Sequence, residues 1–434
     1  MINKIIEINE DSELNTLNQR KNQIQKEKAD SNTYSFKNAI KTKIFLIIIT
    51  IIIICSSLYL RIKYFGVKAS EGIYLNSYDK TGINIYKETG VLSFNKLDEI
   101  MYGTKVDYSK FNNIHIAMSF DNDYYLLTTV TLASLLTNAN DSTYIHIHII
   151  AVENFLFSTM KKLNSLKSRL NNNSEFIFHN GSKAEIDFGE QIKSEPYGVG
   201  EYARLMSPEL INDTDRILVM DSGDLFIERD LLELYNYPLE DKLIKGVVDP
   251  YTNCLPDYKF FKKENYFNGG VLLFNSKKWR EMGIYQDIVN FYNSFQYHGR
   301  LPTPIQDILN TFFPSMATGI MPLRYNFQGF YDTELEEPDI ENEYLYMDSI
   351  SNLECSFYYN KKDILIEEEK NIVIRHNNKL KIHLGESFGK LKMKWNKYAK
   401  LTGFYNELCE KYPMGCYYSS EYPDNQIIDE RIPS

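Results

Sequence analysis

The chain has 434 residues, 43% hydrophobic and 24% charged, enough to bury a substantial core and too apolar for a disordered protein. Its 48 basic against 58 acidic residues give a net charge of −10, the wrong balance for a protein whose affinity rests on cations meeting nucleic-acid phosphates. With 21 Gly, 13 Pro and 5 Cys it is neither collagen-like, mucin-like nor a disulfide scaffold.

Residues 1–43 are polar and charged without a sustained apolar period, and read as a cytosolic tail. Residues 44–60 carry no charge and are bracketed by Lys41, Lys43, Arg61 and Lys63. As a helix this run spans roughly 25 Å, the hydrocarbon thickness of a thin bilayer, whereas a signal peptide's apolar stretch is shorter and ends at small residues. It is expected to be a transmembrane signal anchor in the lipid bilayer. Lys26, Lys28, Lys37, Lys41 and Lys43 before it slightly outweigh Arg61, Lys63, Lys68 and Lys80 after it, which predicts a single-pass type II protein. Its bulk would then lie in the lumen of the Golgi or endoplasmic reticulum. There Cys254, Cys355, Cys409 and Cys416 have three possible pairings, and the triplets beginning at Asn140, Asn172, Asn180 and Asn212 fit glycan acceptors.

Residues 61–112 hold short apolar pieces cut by Gly66, Gly72, Gly82, Gly90 and Gly103, the pattern of a stem. From Asn113 strands and helices alternate. Apolar strands are predicted at 114–120, 144–150, 175–178, 216–220, 243–248 and 270–274, with helices at 124–136, 155–170, 202–210 and from Ser276. Short buried strands alternating with helices specify an α/β fold, a mostly parallel sheet covered on both faces, with ligands at the carboxyl ends of its strands.

Acids gather at those ends. Asp121 and Asp123 follow the first strand, Asp221-Ser-Gly-Asp224 follows 216–220, and Asp249 follows Val248, with Asn268-Gly-Gly270 opening the next strand. Carboxylates leaving an apolar strand together are costly unless a cation or donors answer them. A hard divalent cation such as Mn2+ or Mg2+ takes two carboxylates and completes its shell with phosphate oxygens. Gly223 permits a turn that aims both acids inward.

The stretch Arg216-Ile-Leu-Val-Met-Asp-Ser-Gly-Asp-Leu-Phe-Ile-Glu-Arg-Asp-Leu-Leu-Glu-Leu-Tyr235 resembles the Asp-x-Asp segment of glycosyltransferase family 8. Members of that family transfer a sugar from a UDP-sugar with retention of anomeric configuration, on a GT-A fold. Four further segments resemble the family in order. Asp121-Asn-Asp-Tyr124 is similar to the end of its first strand, where an acid and an aromatic hold uracil. Glu201-Tyr-Ala-Arg-Leu205 is similar to the helix whose arginine, here Arg204, approaches the nucleotide sugar. Tyr266-Phe-Asn-Gly-Gly-Val-Leu-Leu-Phe274 resembles the Asn-x-Gly-Val segment, with Asn268 and Gly269 toward substrate. Pro304-Ile-Gln-Asp-Ile-Leu-Asn310 resembles Asp-Gln-Asp-x-Leu-Asn, with Ile305 in place of the first Asp.

This resemblance implies a GT-A-like, Rossmann-type catalytic domain over residues 113–410, followed by a tail at 411–434. It puts Asp224 at the second position of Asp-x-Asp and leaves the first to Ser222 or, one residue early, to Asp221. His376, ending a strand at 372–376, becomes the third metal ligand, with His383 behind it. Lys390, Lys392 and Lys394 become diphosphate contacts in a late signature that is expanded here and lacks its Pro. Asp249 and Asp307 would orient sugar hydroxyls beside Gln306, and residues 322–370 would form an acidic lid. The implied activity is retaining transfer of a hexosyl or related sugar from a UDP-sugar, assisted by Mn2+ or Mg2+, to a glycan, protein or lipid hydroxyl. Two other readings stand beside it: a glycogenin-like protein that glucosylates its own Tyr, of which there are 33, and a UDP-sugar-binding membrane protein without catalysis, suggested by Ser222.

Overall fold

The computed structural model describes residues 77–152, 157–194, 198–250, 266–294, 303–314, 316–328, 352, 354–377 and 389–416. The expected tail, the anchor at 44–60, Cys254, His383 and the side chain of Lys390 lie outside them. Among the described residues no helix is long and apolar enough to cross a membrane.

The strands are β1 (Val91–Ser93), β2 (Asn112–Phe120), β3 (Thr143–Ala151), β4 (Ser174–Asn180), β5 (Arg216–Met220), β6 (Leu225–Ile227), β7 (Ile244–Val248), β8 (Phe267–Asn275), β9 (Thr318–Met321), β10 (Phe327–Gln328) and β11 (Ile374–His376). Eight form one sheet in the order β1-β4-β3-β2-β5-β8-β7-β9. Its centre, β4-β3-β2-β5, is parallel, and β8 runs antiparallel to both β5 and β7. Alternation divides the central strands between two cores. Ile114, Ile116 and Met118 pack with Leu132, Met160 and Leu163 on one face, while Ala117, Ile150 and Val219 pack with Tyr202 and Trp279 on the other.

The helix Tyr125–Asn138 is buried along most of its length, so its hydroxyls need partners. Thr131 and Ser134 find them on β6 and the turn before it. Thr131 Oγ1 donates to Leu225 O at 3.0 Å and accepts from Gly223 N at 3.2 Å, and Ser134 Oγ accepts from Ile227 N at 2.9 Å. Leu126, Val130 and Ala133 of the same helix meet Trp395 and Ala399 of the helix Gly389–Thr402. A second, three-stranded sheet, β10-β11-β6, then sets His376 opposite Leu225 and beside Gln328.

Three sequence expectations change. Residues 78–112 are not a spacer: the compact body begins at Tyr78, β1 pairs with β4, and Leu92, Phe94 and Leu97 are buried. Two of the glycines that read as cuts are stops, since Gly90 and Gly103 both take φ 71°, and Gly103 ends the helix Phe94–Tyr102. A three-residue edge strand and a capped nine-residue helix leave no period long enough to separate them from a stem. The body also continues past residue 410, through the helices Tyr405–Lys411 and Pro413–Cys416, which the Cys409–Cys416 disulfide joins. Cys355 is in a disulfide as well. Finally, the described parts of the expected lid pack onto the body. Leu323, Tyr325 and Phe327 are buried, and Glu368 of the helix Lys362–Lys370 holds Arg324 through its backbone N and guanidinium at 2.7–3.0 Å.

Candidate active site

Because β8 is antiparallel to β5, the carboxyl end of β5 meets the amino end of β8, and Asp221 N donates to Gly270 O at 2.8 Å. Gly223 then turns the chain at φ 90°, in the left-handed region that favours glycine. The turn brings Asp224 back beside Asp221 before β6 begins. Pairing of β6 with β11 delivers His376 to both, with Nε2 3.5 Å from Asp221 Oδ2 and 3.6 Å from Asp224 Oδ2. One ligand atom from each of the three lies within 4.8 Å of the others. Gly270 makes the approach possible, since a Cβ there would stand 2.3 Å from His376 Cε1 and 2.6 Å from Asp221 Oδ2.

The ring of His376 is 2% exposed. Its Nδ1 bonds Asn326 Oδ1 at 2.9 Å, and its buried Nε2 makes no hydrogen bond among the described residues. Such a donor set, two carboxylates and an imidazole nitrogen, suits a divalent cation. Asp221, and not Ser222, stands in this cluster. Ser222 Oγ instead donates to Ser119 O at 3.3 Å, tying the ends of β2 and β5 together.

Arg204, buried just past the helix Gly198–Ala203, bonds both Glu201 and Asp221 and so holds the first acid in place. Burial lifts the Glu201 carboxyl to about 7 against the pull of Arg204, with the charges of Asp221 and Asp224 adding to the rise. Asp121 Oδ1 accepts from the backbone N–H of Asp123 and Tyr124 at 3.0 and 2.9 Å, which shapes the loop entering the helix Tyr125–Asn138 and leaves Tyr124 45% exposed.

On the far side of β8, amides dock the helix Pro304–Phe312. Asn310 bonds Phe267 N and O at 3.0 and 2.8 Å, and one turn earlier Gln306 Oε1 accepts from Gly269 N at 2.7 Å. Gln306 Nε2 and Asn268 Nδ2 both donate to Asp249 Oδ2, at 3.2 and 3.3 Å. These four residues therefore form one network beside the acids. Asp307 does not join it. Its side chain is 0% exposed, bonds Tyr266 Oη and Thr303 N, and is pushed up to about 6 chiefly by burial, so it braces the helix instead of meeting a sugar. Lys394 also departs from its expected role, since it donates to Glu228 Oε1 at 2.6 Å beside Arg375. Two residues of the site had no role in the sequence reading: Glu201, quoted only as part of the Arg204 segment, and Asn326, which carries no charge and no motif.

Residues 115–378, more than half of the chain, match the sequence profile of the family described as Glycosyl transferase family 8. A putative glycosyltransferase of Haemophilus influenzae is 26% identical over 192 residues, covering 40% of this chain and 57% of that protein. The lipopolysaccharide 1,2-glucosyltransferase of Escherichia coli is 25% identical over 240 residues, covering 52% and 66%. Among solved structures, the apo form of the bifunctional glycosyltransferase WbbM is similar in fold, with a TM-score of 0.53 at 16% identity over 71% of this chain and 53% of that one. The chain thus spans between about half and two thirds of these proteins' own lengths. Its α/β body is GT-A-like, and the chain belongs to glycosyltransferase family 8.

Proposed function

We propose that this protein is a membrane-anchored, retaining glycosyltransferase that moves a hexosyl or related sugar from a UDP-sugar to an acceptor hydroxyl with the help of Mn2+ or Mg2+. One observation carries the reading: Asp221, Asp224 and His376, drawn from a strand end and from a strand about 150 residues later, converge on a common point beside Asn268 and Gln306. A divalent ion bound there would act as a Lewis acid on the departing diphosphate. Arg204 holds Asp221 toward that point, while Asp121 and the exposed ring of Tyr124 shape the end of β2 to receive the base. Gln306 is an amide tied to Asp249, and Asp307 is turned inward, so neither is a strong nucleophile for a covalent sugar intermediate. This favours attack by the acceptor on the same face the diphosphate leaves.

The uncharged run at 44–60 supports the anchor, and the exposure of Asn140, Asn172, Asn180 and Asn212 is compatible with glycosylation in a secretory lumen. The test is a screen of UDP-sugar hydrolysis by the full chain with Mn2+, beside Asp224→Asn. Turnover of at least one UDP-sugar that the variant loses is the expected result. Wild-type rates in the variant would overturn the metal assignment, and Mn2+-dependent UDP binding with no hydrolysis of any donor would mark a binding protein instead.

A further inference from the structure

We infer that Asn326 is a positioning residue that locks His376 in the tautomer protonated on Nδ1, leaving the Nε2 lone pair turned toward Asp221 and Asp224. The inference deepens the metal-assisted reading above and rests on it for its purpose, though not for its geometry.

One group beside Asn268 has no choice of role. A backbone N–H only donates, and that of Gly270 donates to Asn268 Oδ1 at 2.8 Å. This fixes which end of the Asn268 amide is oxygen. The opposite end agrees, because Nδ2 lies 3.3 Å from Asp249 Oδ2. Asn326 approaches the same Asn268 oxygen at 2.9 Å and so must present its NH2 there. Its own carbonyl oxygen therefore faces His376 Nδ1 at 2.9 Å, and an amide oxygen only accepts. Nδ1 is the donor, and in the neutral ring Nε2 is bare. Asn326 is 0% exposed, so solvent does not compete for either end.

The consequence falls on the three facing atoms. Nε2 stands 3.5 and 3.6 Å from two carboxylate oxygens, and the opposite tautomer would thrust an N–H into the space an ion would occupy. Partners that fix the second ring nitrogen commonly set ligand orientation and affinity in this way. Here the partner is itself fixed through two further residues, and Asn326 reaches the ring because β10, which it precedes, runs parallel to β11.

The test reads the tautomer directly. Two-bond nitrogen–proton spectra of the full, metal-free chain carrying nitrogen-15 histidine, with seven His to resolve, would assign His376 by its loss in His376→Gln. On the alkaline side of its titration, where the ring is neutral, the wild type is expected to show a protonated Nδ1 and a bare Nε2. Asn326→Ala is expected to shift the ring toward Nε2–H and to weaken Mn2+ binding by calorimetry roughly 10–100-fold. Asn326→Asp, which keeps an acceptor against Nδ1, should hold the wild-type tautomer. A neutral wild-type ring protonated on Nε2 overturns the inference without needing any variant to fold. So do an unchanged tautomer and unchanged Mn2+ affinity in a folded Asn326→Ala. A wild-type ring bare at Nε2 in a chain that binds no Mn2+ would refute the metal reading and leave the lock standing.

Discussion

Four imidazoles on β2, β3 and β4 and a fifth at the end of β11 are all buried, yet their surroundings differ in kind. In the first group His115 Nδ1 meets His148 Nε2 at 3.0 Å, and His148 Nδ1 meets His179 Nε2 at 3.0 Å. His146 stacks on His115 with centroids 4.3 Å apart and bonds Glu175 and Asn113 through its two nitrogens. Ring-to-ring bonds need a lone pair at every junction, and burial pushes His115 and His179 down to about 4 and holds His148 well below its ordinary value. His115, His148 and His179 are thus neutral rings whose valences nearly close among themselves, with His179 Nδ1 making no hydrogen bond among the described residues at the end of the row. At His376 they do not close: one nitrogen is satisfied and the other faces two acceptors. Burial and unusual neighbours mark both places. Only the second, at strand ends where this sheet type takes ligands, has the donor set of an ion.

The sharpest way to break the comparison is Asp224→Asn. If the acids exist to hold an ion against a diphosphate, UDP-sugar turnover with Mn2+ falls at least about 1,000-fold, several kcal/mol of lost charge stabilisation. Thermal stability of the ion-free protein should not fall, because the change removes one of two like charges facing each other. Steady-state rates and a melting curve on the same preparation decide it.

Acid tests the histidine row. The pKa values of His115 and His179 are depressed in the folded state, so between pH 6.5 and about 4 the unfolded chain binds more protons and stability drops as pH falls. His179 alone contributes a loss on the order of 3 kcal/mol across that window, present as stability above pH 6.5 and gone near pH 4. Urea unfolding of wild type and His179→Gln at the two ends of the window should give a smaller pH effect in the variant. Equal effects would mean that the row is not neutral when folded.

Ion binding gives an effect of similar size with the opposite assignment. Mn2+ at about 100 times its dissociation constant should stabilise the wild type by about 2.7 kcal/mol. His376→Ala should lose most of that gain and His148→Gln should keep it, read as shifts of the melting temperature with and without the ion. Stabilisation that followed His148 instead would move the ion to the row.

The sequence revealed the acids more readily than the lock on their histidine, for a physical reason. The acids gather at the ends of apolar strands, and strand identity is written in neighbouring residues: β2, β5, β7 and β8 hold continuous buried runs of four to eight. β1, β6 and β10 have two or three residues, too few for any period. Asn326 matters only because β10 pairs with a strand 48 positions later, Gln328 against His376, and nothing local records that pairing. Asp307 was misassigned for a related reason. A motif gives residue types in order, but adjacent helix positions point about 100° apart, so Gln306 turns to β8 while Asp307 turns into the helix's own start.

Lys394 gives the smallest effect and the cleanest contrast with that misreading. Expected on the diphosphate, it lies instead at 2.6 Å from Glu228, which Arg375 also bonds at 3.1 Å. Its side chain is 29% exposed and that of Glu228 22%, so solvent screens part of the attraction. Lys394→Met should therefore cost about 1 kcal/mol or less. If the lysine only joins the helix Gly389–Thr402 to β6 and β11, the KM for the UDP-sugar stays within twofold while urea unfolding records the small loss. A KM raised tenfold with stability unchanged would mean that the side chain leaves Glu228 for the phosphate when donor binds, and the sequence-based assignment would stand after all.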